Sequence, residues 1–318
     1  MVTGAQTQAL KARPAATAMQ RVKKDLRING AIYVMVLPAL VYYIIFHYIP
    51  IYGAQIAFRD YHFAKGILGS PWVGFKHFTA FINSFYFVRL VRNTFLLSLY
   101  GIIFGFPAPI FLALLLNEVR SAFFKRTVQT ITYMPHFIST VVICGILVNF
   151  SATGGVVNTI LAWFGKEGYS LLQRPEYFRT IYVASGIWEE VGWGSIIYLA
   201  AISGIDQEQY EAAIIDGAGR FKQALYVTLP NILPTISILL ILRMGRIMSV
   251  GHEKVLLIYN SATWNTSDII STYIYREGLV KLNYSASSAI GIMNSLINIL
   301  FLIFANWVSA RVSENSLF

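Results

Sequence analysis

Four charged residues lie inside otherwise apolar stretches and are the side chains best placed to do chemistry. Glu189 and Glu190 are adjacent within segment 188–193, and Arg243 and Arg246 interrupt a later apolar run. Residues at i and i+3 share one helical face, so both guanidinium groups are expected to face one cavity. Because arginine binds carboxylates through paired hydrogen bonds, this arrangement would suit an acidic ligand.

Two interpretations of these charges are open at this point. In one, a carboxylate of Glu189 or Glu190 pairs with an arginine of the later run and holds two helices together. In the other, the arginines receive substrate, and Trp188 and Trp193 offer flat apolar faces to sugar rings. The last apolar run contains two polar residues, Asn294 and Asn298. They either line the same pathway or make contacts between helices.

The sequence does not predict catalysis. It contains no G-x-S-x-G, and the pair His252-Glu253 is not followed by the second histidine of a zinc protease motif. Glu189 and Glu190 would point about 100° apart on a helix, which is a poor geometry for an acid/base pair. Cys144 is the one cysteine, so an intrachain disulfide is excluded and we expect no metal site.

The composition indicates that the elements carrying these residues lie in a membrane. The chain has 318 residues, of which 56% are hydrophobic and 13% charged, against about 45–50% and 25% in soluble domains. We therefore predict an all-α integral membrane fold with six spans. The fifth span has the weakest hydropathy because two arginines interrupt it. The predicted spans are 31–52, 94–116, 131–150, 180–202, 235–250 and 286–310.

The predicted organisation is a basic tail over 1–30, a six-helix membrane domain over 31–310 and a short tail over 311–318. The net charge is +10, and six Lys and Arg precede residue 30 against Asp25 alone. Basic residues are denser in the connections on that side, so both termini are expected in the cytoplasm. This pattern is more typical of an orientation signal than of nucleic-acid binding, and we expect no nucleic-acid partner.

A helical hairpin is predicted on the cytoplasmic side over 204–234, between the fourth and fifth spans. Asp206 can cap its first helix with Gln209 three positions on, and Gly217 and Gly219 would end that helix. A second helix is predicted over 220–229, followed by two prolines at the start of the fifth span, Pro230 and Pro234.

This hairpin resembles the coupling loop of the permeases of ATP-binding-cassette importers. Their E-A-A, G and I-x-L-P signature is matched at full spacing, with Val227 in place of isoleucine. Asp216, directly before the signature glycine, makes the motif similar to that of the carbohydrate-uptake branch of these permeases. Segment 251–279 resembles the complex-polysaccharide group, and in particular its alginate-importing members, although His252 and Lys254 depart from that pattern. The residues that the resemblance implies for ATPase coupling are Glu211, Ala212, Ala213, Asp216, Gly217, Leu229 and Pro230.

The resemblance implies a six-helix permease of the bacterial inner membrane that is not itself an enzyme. Its implied partners are a second homologous permease, two ATPase subunits and an extracytoplasmic solute-binding protein. The chain has no G-x-x-x-x-G-K-[ST], so ATP and Mg²⁺ are expected on the ATPase subunits. Glu211 and Asp216 would anchor the hairpin in an ATPase cleft.

The expected activity is import of an oligo- or polysaccharide by alternating access. Taken with the two arginines, the resemblance favours an acidic, uronate-containing glycan similar to alginate. The alternative is a secondary transporter or channel that works without an ATPase. The lack of an internal repeat and the presence of the coupling signature count against that alternative.

Overall fold

The computed structural model describes residues 18–165 and 168–312, and every regular element in these ranges is helical. Residues 1–17 of the predicted N-terminal tail and 313–318 of the C-terminal tail lie outside the described residues. The main helices are α1 Ala18–Tyr43, α2 Lys76–Ile82, α3 Phe87–Tyr100, α4 Pro107–Glu118, α5 Ala122–Tyr133, α6 Thr140–Ser151, α7 Val156–Trp163, α8 Pro175–Ser203, α9 Gln207–Ile215, α10 Arg220–Gln223, α11 Leu229–Met244, α12 His252–Ile258, α13 Ile270–Tyr275 and α14 Tyr284–Val312.

Short helical pieces fill the connections between the main helices. Short α-helical pieces are Ile49–Ile51, Gly66–Gly69 and Trp264–Ser267. Turns of π-helix are Ile44–Tyr48, Gly101–Gly105, Ala224–Thr228 and Arg276–Val280. Turns of 3₁₀-helix are Tyr52–Phe58, Phe63–Lys65, Met134–Phe137, Leu171–Gln173 and Ser261–Thr263.

The chain divides into two compact units, residues 1–55 and 56–318. In the first unit, α1 bends at Asn29, whose backbone has φ −105° and ψ 16°. The Asn29 side chain donates to the Asp25 carboxylate at 2.6 Å, and a competing side-chain bond of this kind accompanies the bend. The predicted N-terminal tail is therefore helical from residue 18 onwards. This helix bends close to residue 30, where the tail was predicted to end.

The all-α membrane prediction is confirmed, and the described residues contain five helical segments long and apolar enough to span a bilayer. The predicted fourth span falls within α8, which has 29 residues and a length of about 44 Å. It is long enough to cross, but Glu189, Glu190 and polar neighbours lower its mean hydropathy, so it is not among the five. The five are Asp25–Phe58, Phe87–Glu118, Thr140–Trp163, Arg220–Met244 and Tyr284–Arg311.

Several predicted span boundaries differ from the helices of the structure, and two of these differences have a visible cause. The third span begins at Thr140 instead of residue 131, because the Ser139 hydroxyl caps α6 by accepting from the Val142 N–H at 3.4 Å. The fifth ends at Met244 instead of residue 250. There the Asn298 side-chain oxygen accepts the Met248 N–H at 2.8 Å and fixes a turn in place of further helix.

Helix α8 lies at the centre of the second unit, where it contacts α4, α5 and the turn Met134–Phe137. Its glycines permit this approach: a Cβ added to Gly192 would overlap the Thr132 carbonyl oxygen, and one added to Gly194 would lie 3.0 Å from Pro109. Towards its end, α8 joins a buried apolar cluster with α4 and α11. The buried members are Ala113, Tyr198, Ile202 and Ile232.

Gly192→Ala is expected to destabilise the second unit by about 1–3 kcal/mol, the usual effect of overpacking. The control is Gly145→Ala in α6, where an added Cβ meets nothing within 4 Å. That change should be neutral or stabilising by up to about 1 kcal/mol. Thermal unfolding of the purified chain in detergent measures both, and equal unfolding temperatures would contradict the close α8 contact.

A buried charge network ties the connections together at the end of the second unit away from the hairpin. The fully buried Asp268 carboxylate accepts two bonds from Arg276 at 3.0 Å each, one from Arg89 at 3.2 Å and one from the Thr272 hydroxyl at 2.9 Å. Bonding to two guanidinium groups compensates the desolvation of this carboxylate. The segment that holds Asp268 and Arg276 is thus fastened onto α3 through Arg89.

Candidate functional site

A cavity of about 700 Å³ opens within the second unit between α3 and α4, α8, and the end of α11 with the segment that follows it. The π-helical turn Gly101–Gly105 separates α3 from α4 and forms part of its wall. The Phe106 N–H bonds the Gly101 carbonyl at 3.0 Å, while Pro107 has no N–H to donate. Such an interruption widens a helix locally and is frequent at functional sites.

Arg243 and Arg246 both line this cavity. Arg243 lies in the last turn of α11, and Arg246 lies in the turn that follows. The Arg246 N–H donates to the Arg243 carbonyl at 3.1 Å. A Cβ on Gly101 would stand 3.5 Å from the Arg243 guanidinium, so the two residues are neighbours on the cavity wall. Both arginine side chains are exposed, and within residues 18–165 and 168–312 neither forms an ion pair or side-chain hydrogen bond.

The interpretation that the glutamates pair with these arginines is wrong. The Glu189 carboxylate instead binds the Lys254 ammonium of α12 at 3.0 Å, with 17% and 10% of the two side chains exposed. Glu190 has its carboxylate 3.4 Å from the His136 Nδ1. The sequence analysis considered only the two arginines as partners and did not identify the neighbouring element, which is α12.

The other predicted pathway residues lie off the cavity wall. Trp193 stacks on the His136 ring with centroids 4.6 Å apart and planes 4° apart, and Trp188 is 45% exposed. The Asn298 side chain accepts from the Met248 N–H and donates to the Ser249 hydroxyl, at 2.8 Å each. These bonds correspond to the predicted alternative of contacts between segments of the protein. The Asn294 side-chain oxygen is buried without a partner among the described residues. Substrate contact by these four residues stays a prediction.

The predicted hairpin is present, and its first helix is α9. The Asp206 side chain caps it by accepting from the Glu208 N–H at 3.0 Å, as predicted. Gln209 does not close the predicted capping box, because its side-chain oxygen accepts instead from Asn231 of α11 at 2.7 Å. Gly217 ends the helix with φ +75°, the left-handed conformation that favours glycine. Gly219 does not end α9; it precedes α10.

Contrary to the prediction, the second helix does not end at residue 229 before a separate fifth span. Helix α10 passes through the π-helical turn Ala224–Thr228 into α11 without leaving helical conformation. Pro230 lies just after the π-helical turn, which is a common way for a continuous helix to accommodate an irregularity. Pro234 lies inside α11, which is tolerated in membrane spans.

The motif residues divide between an exposed and an internal group. Glu211, Ala212, Asp216, Gly217 and Pro230 are exposed, whereas Ala213 and Leu229 are half-buried. Leu229 packs on the apolar cluster formed by α4, α8 and α11, and so connects the hairpin to the core. The tip also exposes two large apolar side chains, Ile215 at 86% and Phe221 at 80%. Such a cluster is typical of an interaction surface.

The hairpin is joined directly to α8 and α11, two of the helices that carry cavity charges. Glu189 lies 14 residues before the end of α8 at Ser203, and Arg243 lies 14 residues after the start of α11 at Leu229, or about 21 Å in each case. Tyr210 of α9 shares a 2.9 Å hydrogen bond with Thr228, which fixes α9 against the base of α11. A displacement of the hairpin would therefore move two cavity walls.

Four residues of this arrangement were not predicted from sequence: Lys254, His136, Tyr182 and Asn231. The Lys254 ammonium lies 5.6 Å from the centre of the Tyr182 ring. The one available signal was that Lys254 departs from the aromatic and amide residues of the resembling permeases. The contacts of the other three depend on packing between distant segments, for which the sequence carries no local signature.

Comparison with known proteins adds family evidence. Residues 105–314 match the family described as binding-protein-dependent transport system inner membrane component. The chain is 44% identical to the protein LplB of Bacillus subtilis over 294 residues, 92% of each chain. It is 41% identical to the polygalacturonan/rhamnogalacturonan transport system permease YteP of the same organism over 288 residues, 90% of each chain.

Solved structures agree with that match. A chain of a bacterial ABC transporter involved in the import of the acidic polysaccharide alginate has a TM-score of 0.86 and 44% identity, over 92% of this chain and 99% of that one. A second structure shows a bacterial alginate ABC transporter in complex with a periplasmic protein that holds an alginate pentasaccharide. Its matching chain has a TM-score of 0.86 and 43% identity, over 93% and 100% of the two chains.

Proposed function

This chain belongs to the family of binding-protein-dependent transport system inner membrane components, and on that premise we propose that it is a permease subunit of an ATP-driven importer of acidic oligo- or polysaccharides. The observation that carries the acidic class is the exposed pair Arg243 and Arg246, which line the cavity without an acidic partner in the described chain. The names of the relatives for polygalacturonan and alginate support the same class.

The acidic preference would arise from the position of individual charges, because the cavity lining is not basic overall. Glu189 is already bound to Lys254, and Glu190 faces His136. The arginine pair is left to bind a ligand carboxylate, in the two-pronged geometry that guanidinium groups favour. The charged lining residues are Glu189, Glu190, Glu253, Arg243, Arg246 and Lys254.

The proposed partners are a second homologous permease, two ATPase subunits that hold ATP and Mg²⁺, and an extracytoplasmic solute-binding protein. The hairpin 204–234 would dock in an ATPase subunit. Glu211 and Asp216 are exposed there and form no ion pair within the described residues, and Ile215 and Phe221 would supply the apolar contact. The chain's membrane domain would extend over 31–310, with both termini in the cytoplasm.

The proposed mechanism is alternating access driven through the hairpin. Closure of the ATPase subunits on ATP would displace α9, which is fixed to α11 through the Tyr210 and Gln209 contacts. Helix α8 leads into the hairpin and α11 follows it, and both helices carry cavity charges. The displacement would therefore change the distance between two cavity walls. The same displacement would thereby change the side of the membrane to which the cavity opens.

Reconstitution in liposomes tests this function against the alternative of a transporter that works alone. We expect ATP-dependent uptake of trigalacturonate only when the chain is combined with its companion permease, the ATPase subunits and the binding protein. Uptake driven by an ion gradient in liposomes containing this chain alone would overturn the proposal. Equal uptake of trigalacturonate and of the same trisaccharide with its carboxylates reduced to alcohols would overturn the acidic class.

A further inference from the structure

One cation of the cavity is already bound to a carboxylate of the chain itself. The Lys254 ammonium and the Glu189 carboxylate are 3.0 Å apart, and both residues line the cavity. Gly186, one turn before Glu189 on α8, also lines it, and a Cβ there would stand 3.9 Å from the ammonium. The ammonium, with Gly186 beside it, is thus part of the cavity wall.

A structural role alone gives little reason for placing this ion pair on the cavity wall. Removing two charges from water costs free energy that their attraction often only just offsets, and apolar residues of similar size can join two helices as well. Helices α8 and α12 already have such contacts, because Phe178, Val255 and Ile258 are buried in one apolar cluster. Its position on the cavity wall favours a role in ligand binding.

We propose that Lys254 is a third carboxylate-binding cation of the cavity and that Glu189 occupies it until a substrate carboxylate displaces it. This inference rests on the proposed function and narrows its substrate class to glycans with at least two uronate residues. One carboxylate would bind the Arg243 and Arg246 pair, and another would bind Lys254. Glu189 is then a residue that determines specificity.

Lys254 discriminates between acidic and neutral sugars because only a carboxylate can take the place of Glu189 with a bond of the same kind, and Glu189 lowers this preference by competing for the ammonium. A uronate that displaces Glu189 gives Lys254 a new carboxylate partner, so the number of charge-assisted hydrogen bonds to the ammonium is kept. A sugar hydroxyl would replace such a bond with one about half as strong. The Tyr182 ring, 5.6 Å from the ammonium, attracts the cation and holds it in place during the exchange.

The test uses the complete importer in liposomes, with the binding protein loaded to saturation by trigalacturonate or by its carboxyl-reduced form. The quantity measured is the ratio of the uptake rates of the two sugars. Glu189→Gln frees Lys254 and should raise this ratio about tenfold, whereas Lys254→Gln should lower it about tenfold. In the double variant the gain from Glu189→Gln should vanish, because that gain requires the freed ammonium.

Glu190→Gln is the matched control, since it removes a carboxylate from the same cavity that does not bind Lys254. Its effect should be unchanged by Lys254→Gln. A gain from Glu189→Gln that persists without Lys254 would overturn the inference in favour of a general charge effect. So would a loss of uptake equal for both sugars, which indicates a structural pair. If the parent importer itself shows no preference for trigalacturonate, the proposed acidic class fails, irrespective of these variants.

Discussion

Gly217→Pro is expected to abolish the stimulation of ATP hydrolysis by loaded binding protein, while Gly219→Pro leaves it within about twofold, a change of only about 0.4 kcal/mol. Gly217 has φ +75°, and its N–H donates to the Ile214 carbonyl at 3.0 Å. Proline is fixed near φ −65° and has no N–H, so the end of α9 cannot keep its conformation. Even an ordinary residue there would cost about 1–2 kcal/mol.

Gly219 is the matched control because it carries the same replacement two residues later. Its φ is −69°, which proline adopts, and an added Cβ meets nothing within 4 Å. Its N–H makes no hydrogen bond in the part of the chain that the structure describes. The two variants therefore differ in whether the backbone conformation of the hairpin tip can be kept.

ATPase activity is measured on importers assembled in nanodiscs, with and without binding protein carrying trigalacturonate. Co-purification of the ATPase subunits with each variant reports assembly separately. Equal stimulation in the Gly217→Pro and parent importers, with equal assembly, would contradict the coupling role of the hairpin. Loss of stimulation in both proline variants would show that the site tolerates no change, and the conformational explanation would fail.

The hairpin tip was predictable from sequence because its signals are local. Asp206 caps an N–H two residues away, and Gly217 ends a helix through its own backbone angle, so a few neighbouring residues decide the structure. The second half of the hairpin was not predictable in the same way. Pro230 and Pro234 are normally read as breaks, but the π-helical turn before them and the packing of Leu229 continue the helix.

The cavity was only partly predictable, because the partners of its charges come from distant segments. Arg243 and Arg246 both line the cavity, but Arg246 lies in the turn after α11 and not, as the i, i+3 argument assumed, on the same helix. The partner of Glu189 is Lys254, 65 residues away on a helix that begins after the fifth span has already ended. That end depends on Asn298, whose side chain reaches Met248 from another helix. Such contacts arise from tertiary packing, which periodicity does not encode.

The double variant Arg243→Ala/Arg246→Ala is expected to lower uptake of trigalacturonate about 100-fold. A hydrogen bond to a charged group contributes about 1.5–3 kcal/mol, so the loss of each guanidinium should cost about tenfold or more. Uptake of the carboxyl-reduced trisaccharide should fall by no more than about threefold, or about 0.6 kcal/mol. Initial uptake rates in liposomes at saturating binding protein measure both sugars under the same conditions.

Two further variants separate the effect of the arginine charge from that of the guanidinium geometry and from a general loss of folding or assembly. Arg243→Lys/Arg246→Lys keeps both charges but loses the two-pronged bond, so we expect an intermediate loss of about tenfold. Arg174→Ala removes a guanidinium that lies 4.3 Å above the Tyr169 ring and does not line the cavity, and it should leave the preference unchanged. If the alanine pair slows both trisaccharides equally while assembly is normal, the arginines position helices and do not bind the glycan carboxylate. A loss that is selective for trigalacturonate and that the lysine pair restores only in part supports their role as its binding site, because a general charge effect would be restored in full by lysine.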